Sequence, residues 1–89
     1  MKTYLIDGNN LIFKIDELKR LQKSDKQIAR EKLVFLIEDY FINKKHKVKI
    51  FFDGFETIKI NSNISKIIYS NVQPADYYIK EEIENAKNP

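Results

Sequence analysis

The sequence predicts an α/β domain built on a parallel sheet of about three strands. Two apolar, β-prone runs each end in Asp-Gly, one over residues 4–8 and the other over residues 48–54, as is typical of a buried strand that stops at a turn. The long segment between them has apolar residues at helical spacing. Strand, helix and strand in this order form a βαβ unit, which makes the two strands parallel and the crossover right-handed.

Composition narrows the class of protein. The 89 residues allow one small domain, and only two Gly and two Pro leave little room for linkers. The sequence has no apolar run long enough for a membrane span, and Asp7 and Lys14 interrupt any signal-like core. The absence of cysteine excludes disulfides, thiolate zinc sites and thiol nucleophiles. We therefore expect a cytoplasmic protein. The net charge of +3 is compatible with a polyanionic partner but is only a weak indication of one.

The elements before the second strand follow from local patterns. Gly8-Asn9-Asn10 predicts a tight turn, because Gly8 permits unusual backbone angles and either asparagine tolerates a left-handed conformation. Residues 11–13 then open a short helix, and residues 14–23 form either a marginal helix or a helical loop. Ser24 is the expected N-cap of the long helix, with Gln27 completing a capping box. The helix runs to about Asn43 and covers one face of the sheet.

The long helix should have one buried and one solvated face. Its predicted buried stripe is Ala29, Leu33, Leu36, Ile37, Tyr40 and Phe41, broadened by Val34, Phe35 and Ile42. The predicted solvated face carries Lys26, Arg30, Glu31, Glu38 and Asp39.

After the second strand we expect a loop over residues 55–63, with room for a short extended piece at residues 57–60. Residues 64–70 are rich in β-branched side chains and predict a third strand. Pro74 suits the first position of a last helix, whose expected buried stripe is Ala75, Ile79, Ile83 and Ala86.

Acidic residues follow the strands. Parallel strands bring their carboxyl ends to one edge of the sheet, where α/β proteins bind ligands. We expect Asp7 and Asp53 on adjacent strand tips, about 5 Å apart at the backbone, and Asp76 beside them if the third strand is also parallel. Carboxylates this close repel each other unless a cation lies between them. The alternative is that each aspartate only caps a turn or a helix.

These segments also resemble a known family. Leu5-Ile6-Asp7-Gly8-Asn9-Asn10, Phe51-Phe52-Asp53-Gly54, and Tyr69-Ser70 followed by Ala75-Asp76 and Ile79 resemble the NYN domain, in its YacP-like branch of PIN-like, metal-dependent ribonucleases. The resemblance implies a Rossmann-like, three-layer α/β/α domain that hydrolyses RNA, structured or ribosome-associated, with Mg²⁺ or Mn²⁺. It implies that Asp7, Asp53 and Asp76 are catalytic metal ligands and that Asn10 shapes the site.

Two departures from the family pattern open alternatives. The family often has an acid where this sequence has Tyr77, and its domain continues with a further strand ending in another acid. We therefore expect residues 1–89 to be the amino-terminal part of a larger domain, or to pair with a second copy or another chain along the exposed edge of the first strand. A non-catalytic RNA- or protein-binding module, or an inactive fragment, is the alternative to a nuclease.

The positions of the basic residues say less about function than those of the aspartates. Lys14, Arg20, Lys44, Lys45 and Lys47 could contact a nucleic acid backbone, although a solvated charged face is the simpler interpretation. The lysine-rich connector precedes the second strand, so it should lie at the edge opposite the acids. We expect His46 to be a solvated loop residue and Tyr77 and Tyr78 to be packing residues.

Overall fold

Three parallel strands in the order β1-β2-β3 form the sheet. The computed structural model describes residues 2–87. In chain order its elements are β1 (Thr3–Asp7), α1 (Gly8–Lys14), α2 (Asp16–Ser24), α3 (Lys26–Phe41), β2 (Lys47–Phe52), β3 (Ser65–Tyr69) and α4 (Ala75–Lys87). The predicted α/β class with a three-stranded parallel sheet is confirmed, and β1 lies at an edge of that sheet, as expected.

The alternation of side chains along β2 explains the layers. Val48, Ile50 and Phe52 are buried in the main core, which they share with α1, α2 and α3. Phe51 is 1% exposed but lies outside that core, and Lys49 on the same face pairs with Glu82 of α4 at 2.8 Å. Successive side chains of a strand point to opposite faces, so α4 covers the second face and completes an α/β/α arrangement.

The segment after β1 is helical from its first residue. Asp7 is the N-cap of α1, and Gly8 begins the helix, so the predicted tight turn at Gly8-Asn9-Asn10 is wrong. Gly8 is buried, and a Cβ there would lie 2.6 Å from Phe52 Cε1 and 2.9 Å from the Phe51 carbonyl oxygen. Glycine is therefore explained by the close approach of α1 to β2. Among residues 2–87 the positive φ angles belong to Gly54 and Asn71.

The long helix begins one residue later than expected. Asp25 is the N-cap of α3 and accepts a hydrogen bond from the Ile28 amide at 3.1 Å, whereas Ser24 closes α2 and donates to the Leu21 carbonyl. Gln27 bonds Glu31 and the Ile58 carbonyl. The predicted Ser24 cap and its capping box are wrong, because Ser and Asp are equally good caps and the chain uses the second of the two.

The faces of α3 also differ from the prediction. Leu36 and Tyr40 are exposed, at 43% and 63%, while Arg30 is only 3% exposed. The Arg30 guanidinium donates to the carbonyls of Asp53 at 2.6 Å and Phe55 at 3.1 Å, and lies over the rings of Phe52 and Tyr69. These carbonyls and rings stabilise a charge that burial alone would make unfavourable.

The predicted loop between β2 and β3 contains no strand within residues 53–64, so the short extended piece at residues 57–60 is absent. Its end is fixed by Glu38, which was predicted to face solvent. The Glu38 carboxylate accepts hydrogen bonds from the amides of Asn63, Ile64 and Ser65 and from the Ser65 hydroxyl, at 2.6 to 3.2 Å. Burial alone would raise the pKa of Glu38, but these bonds outweigh it and hold the pKa below its usual value.

The last helix packs less completely than predicted. Ala75 is 1% exposed, but Ile83 is 42% exposed and Ala86 is also exposed. The second face of the sheet is small, and α4 contacts it along β1 and β2, so only part of the helix finds an apolar partner. No helix within residues 2–87 has the length and apolarity to cross a membrane.

Replacing Glu38 by Gln should destabilise the fold in a pH-dependent way. An amide binds three N–H donors less well than a carboxylate, so we expect a loss of about 1–3 kcal/mol in the free energy of unfolding at neutral pH. Because the folded-state pKa is lowered, the wild-type advantage is present above the unfolded pKa and is lost as pH falls through the folded pKa. Urea unfolding at neutral and acid pH measures this, with Asp39→Asn on the same helix as the control. A loss of equal size at both pH values would contradict it.

Candidate active site

The carboxyl ends of the three strands meet at one edge of the sheet. Asp7 is the last residue of β1, Asp53 follows β2 directly, and Asp76 lies in the first turn of α4, after β3. Asp7 pairs with Phe51, so Asp53 lies two residues, or roughly 7 Å, further along the strand direction. The expected 5 Å backbone separation is therefore wrong, because the register places the two aspartates at different levels.

Asp7 is held by the helix that follows it. Its Oδ1 accepts the Asn10 amide at 3.1 Å, which is the N-cap bond of α1. The residue is partly buried. Asn10, which the resemblance places in the site, contributes this backbone amide, and the residue is exposed.

Asp53 connects three other segments. Its amide donates to Asn9 Oδ1 at 2.9 Å, its carboxylate accepts the Ala75 amide, and its carbonyl accepts from Arg30. All three polar groups of the residue are thus used, by the start of α1, the start of α4 and the second turn of α3. Asp53 caps α4 from a distance while it joins the helices to the tip of β2.

Asp76 and its neighbour Tyr77 lie on the exposed side of α4. The Asp76 carboxylate pairs with Lys80 at 3.2 Å, an i,i+4 contact along the helix. Tyr77 is 44% exposed, and a hydrogen bond to Glu81 raises the pKa of its hydroxyl. Both side chains are engaged by their own helix.

The metal hypothesis can be tested against these contacts. Within residues 2–87, no three His, Asp or Glu side chains lie together in an arrangement that could hold a metal ion. The chemistry of the donors fits a hard cation, since Mg²⁺ takes one or two carboxylates together with water and phosphate oxygens. Asp7 ends β1 and Asp53 follows the adjacent strand β2, so these two carboxylates are the candidates for such a site, whereas Asp76 is paired with Lys80.

Comparison with known proteins identifies the family. The family model of the YacP-like NYN domain matches residues 4–89. The chain belongs to the YacP-like NYN domain family. Neither the comparison with curated proteins nor the comparison with solved structures gave a match. Membership of the NYN family agrees with the PIN-like, Rossmann-like sheet and suggests a nuclease-like function.

Several residues that organise this candidate site were missed or misplaced by sequence reasoning. Asn9 makes the bond to Asp53, and Arg30 binds the Asp53 carbonyl. The Ser70 hydroxyl accepts the Gly54 amide at 3.2 Å, and Gly54 and Asn71 form an isolated bridge with positive φ at both. The signal for this bridge was present, because Asp-Gly and Ser-Asn follow the ends of two strands and such residues tolerate a left-handed backbone.

Tyr69, at the end of β3, adds a buried polar group below the rim. Burial raises the pKa of its hydroxyl, and the Arg30 guanidinium, 5.2 Å from the ring centroid, opposes that shift. The hydroxyl is buried without a hydrogen-bond partner among the described residues. The Arg30 guanidinium thus lies between the Tyr69 ring, which it contacts, and the Asp53 carbonyl, to which it donates.

Asn9→Ala and Asn10→Ala form a matched pair of variants for this candidate site. Asn9→Ala removes the acceptor of the Asp53 amide and should lower the free energy of unfolding by about 0.5–1.5 kcal/mol. Each kcal/mol lowers Tm by about 4–8 °C in a domain of this size. Asn10→Ala keeps the backbone amide that binds Asp7, so its effect should stay within about 0.5 kcal/mol. Thermal unfolding of both variants tests this, and a larger effect for Asn10→Ala would contradict it.

Proposed function

We propose that this NYN domain is a metal-dependent endoribonuclease that hydrolyses RNA phosphodiester bonds at the edge carrying Asp7, Asp53 and Asp76. The observation that supports it best is that Asp7 and Asp53 end two adjacent parallel strands in a chain of this family. We also propose a cytoplasmic location, because the sequence contains no cysteine that an oxidising compartment could cross-link.

The residues proposed to hold Mg²⁺ or Mn²⁺ are Asp7 and Asp53, with Asp76 binding directly or through water. The chemistry that a bound ion would supply there is activation of a water as nucleophile and stabilisation of the charge on phosphate. The chain itself supplies the positioning. The cap bond to the Asn10 amide orients Asp7, and the bonds of Asp53 to Asn9 and Ala75 orient Asp53. The exposed side chain of Asn10 is proposed to hold a carboxylate or to donate to the phosphate.

A second candidate function is RNA binding without cleavage. The pairing of Asp76 with Lys80 and the presence of Tyr77 where the family often has an acid favour it, because both reduce the negative charge available to a cation. This function predicts RNA binding that survives EDTA and cleavage that is absent with any divalent metal.

Asp7→Asn separates the chemical role of this residue from its structural one. Asparagine and aspartate are about equally good N-caps, so we expect the variant to keep the wild-type Tm to within a few degrees. Mutating a residue that only supports a metal ligand typically costs about 10- to 100-fold in activity. Because Asp7 is proposed to bind the metal directly, its loss should lower Mn²⁺-dependent RNA cleavage by more than that. Gel analysis of a labelled RNA, with and without EDTA, measures this.

The control is Asp16→Asn, which removes the same charge from an exposed position at the start of α2. It should cleave RNA at the wild-type rate. Cleavage that persists in EDTA, or that is equal in Asp7→Asn and the wild type, would reject the nuclease proposal. RNA binding without any cleavage by the wild type would favour the second function.

Association along β1 also stays a prediction. β1 pairs with β2 on one side, and its other side is an edge with Tyr4 37% exposed. A free edge with apolar side chains favours pairing with another strand. We expect sedimentation to give a mass above that of the monomer, and Leu5→Lys on this edge to shift the mass toward the monomer. A wild-type monomer with a cooperative melt would contradict this expectation.

A further inference from the structure

Four aromatic rings form a cluster at the amino edge of the sheet, opposite the aspartates. The ring centroids of Tyr40 and Phe41 are 4.9 Å apart, those of Phe41 and Tyr4 are 5.1 Å apart, and those of Tyr4 and His46 are 5.3 Å apart. His46 was predicted to be a solvated loop residue, but it is partly buried and its Nδ1 accepts the Lys2 amide at 3.2 Å. The cluster therefore joins the end of α3, the connector and the start of β1.

Lysines flank these aromatic residues along the chain. Lys44 lies with its Nζ 4.1 Å from the centroid of the Tyr40 ring and donates to the Tyr40 carbonyl. The Lys47 amide donates to the Lys2 carbonyl, which brings the two ends of this edge together. The sequence has no acidic residue over residues 1–6 or 40–52, and no ion pair within residues 2–87 involves Lys2, Lys44, Lys45 or Lys47. We call this group, Lys2, Tyr4, Tyr40, Lys44, Lys45 and Lys47, the basic-aromatic edge.

The basic-aromatic edge is separate from the candidate active site. Lys47 begins β2 and Asp53 follows its end, so the strand holds the two regions about 20 Å apart. Most of the Tyr40 ring is open to solvent, since the residue is 63% exposed. The Lys44 ammonium lies over this ring, so the exposed part of the ring offers a stacking surface next to a positive charge.

We propose that the basic-aromatic edge binds a single-stranded polynucleotide. Lysines would neutralise its phosphates, and a base would stack on Tyr40, which is how many proteins hold single strands without reading their sequence. The choice of RNA over DNA rests on the proposed function. Binding itself does not, because no residue of this edge takes part in the chemistry at Asp7 or Asp53.

The experiment measures the anisotropy of a labelled oligouridylate in EDTA, so that cleavage cannot interfere. Tyr40→Ala should weaken binding by about 5- to 150-fold, the range for loss of one stacked base, and Tyr40→Phe should keep wild-type affinity. Lys44→Ala/Lys45→Ala should make the negative slope of log K against log salt shallower by about 1.4, because each phosphate contact contributes about −0.7 on a single strand.

The matched control is Lys23→Ala/Lys26→Ala, which removes two exposed lysines near the other end of α3, about 21 Å from Tyr40. It should keep the wild-type salt slope. Melting curves of all variants ensure that a loss of affinity is compared between folded proteins. Competition by unlabelled oligodeoxyuridylate, compared with competition by unlabelled oligouridylate, shows whether the edge prefers RNA to DNA. Competition by either oligonucleotide supports the proposal that this edge binds a single strand.

Three results would overturn the proposal. The first is wild-type affinity in both Tyr40→Ala and Lys44→Ala/Lys45→Ala, and the second is a loss of affinity in the control pair equal to that of Lys44→Ala/Lys45→Ala. The third is competition by polyglutamate or by anionic lipid vesicles that is as strong as competition by the oligonucleotide, because these competitors present charge without a base to stack. In the same assay Asp7→Asn should bind with wild-type affinity, because Asp7 lies outside this edge. If the wild type binds at this edge but does not cleave RNA with Mn²⁺, only the nuclease proposal is lost.

Discussion

The arrangement of this domain depends on the hydrogen bonds of Asp53 at the tip of the central strand. Its amide, carbonyl and carboxylate hold Asn9, Arg30 and the Ala75 amide, respectively. These partners belong to α1, α3 and α4, so one residue fixes a helix on each face of the sheet relative to its carboxyl edge. The Arg30 contact is the costliest to form, because a charged residue that is only 3% exposed is tolerated only if carbonyls and rings replace the water around its guanidinium.

A carboxylate that accepts a hydrogen bond from a helix amide, as that of Asp53 does, can still bind a second partner. An ionised carboxylate has two oxygens and about four lone-pair sites, so a single bond to a helix amide leaves acceptors free. Asp7 gives Oδ1 to the Asn10 amide, and Asp53 gives one oxygen to Ala75. Such bonds reduce the number of rotamers that each side chain samples, which preorganises it. The capping interpretation and the ligand interpretation of these aspartates are therefore compatible.

Periodicity predicted the strands, the helices and the shared edge of the aspartates, because those features depend on short-range patterns and on chain direction. It could not predict the burial of Arg30, since the carbonyls that satisfy it lie 23 and 25 residues away. Gly8 was interpreted as a turn residue because its neighbour Phe52 is distant in sequence. The sequence placed Asn9 and Asn10 together, and only the register of β1 with β2 shows that Asn9 faces Asp53.

In this parallel sheet the basic residues of the connector and the aspartates at the strand ends lie at opposite edges. Since all strands run the same way, residues before a strand fall at one edge and residues after it at the other. The connector before β2 contributes lysines, and the residue after β2 is Asp53, so the two signs are held about 20 Å apart. The net charge of +3 averages over this separation and therefore understates the positive potential at the amino edge. A polyanion bound at the amino edge would stay clear of the aspartates. Their negative charges would repel it at the carboxyl edge unless a cation neutralised them.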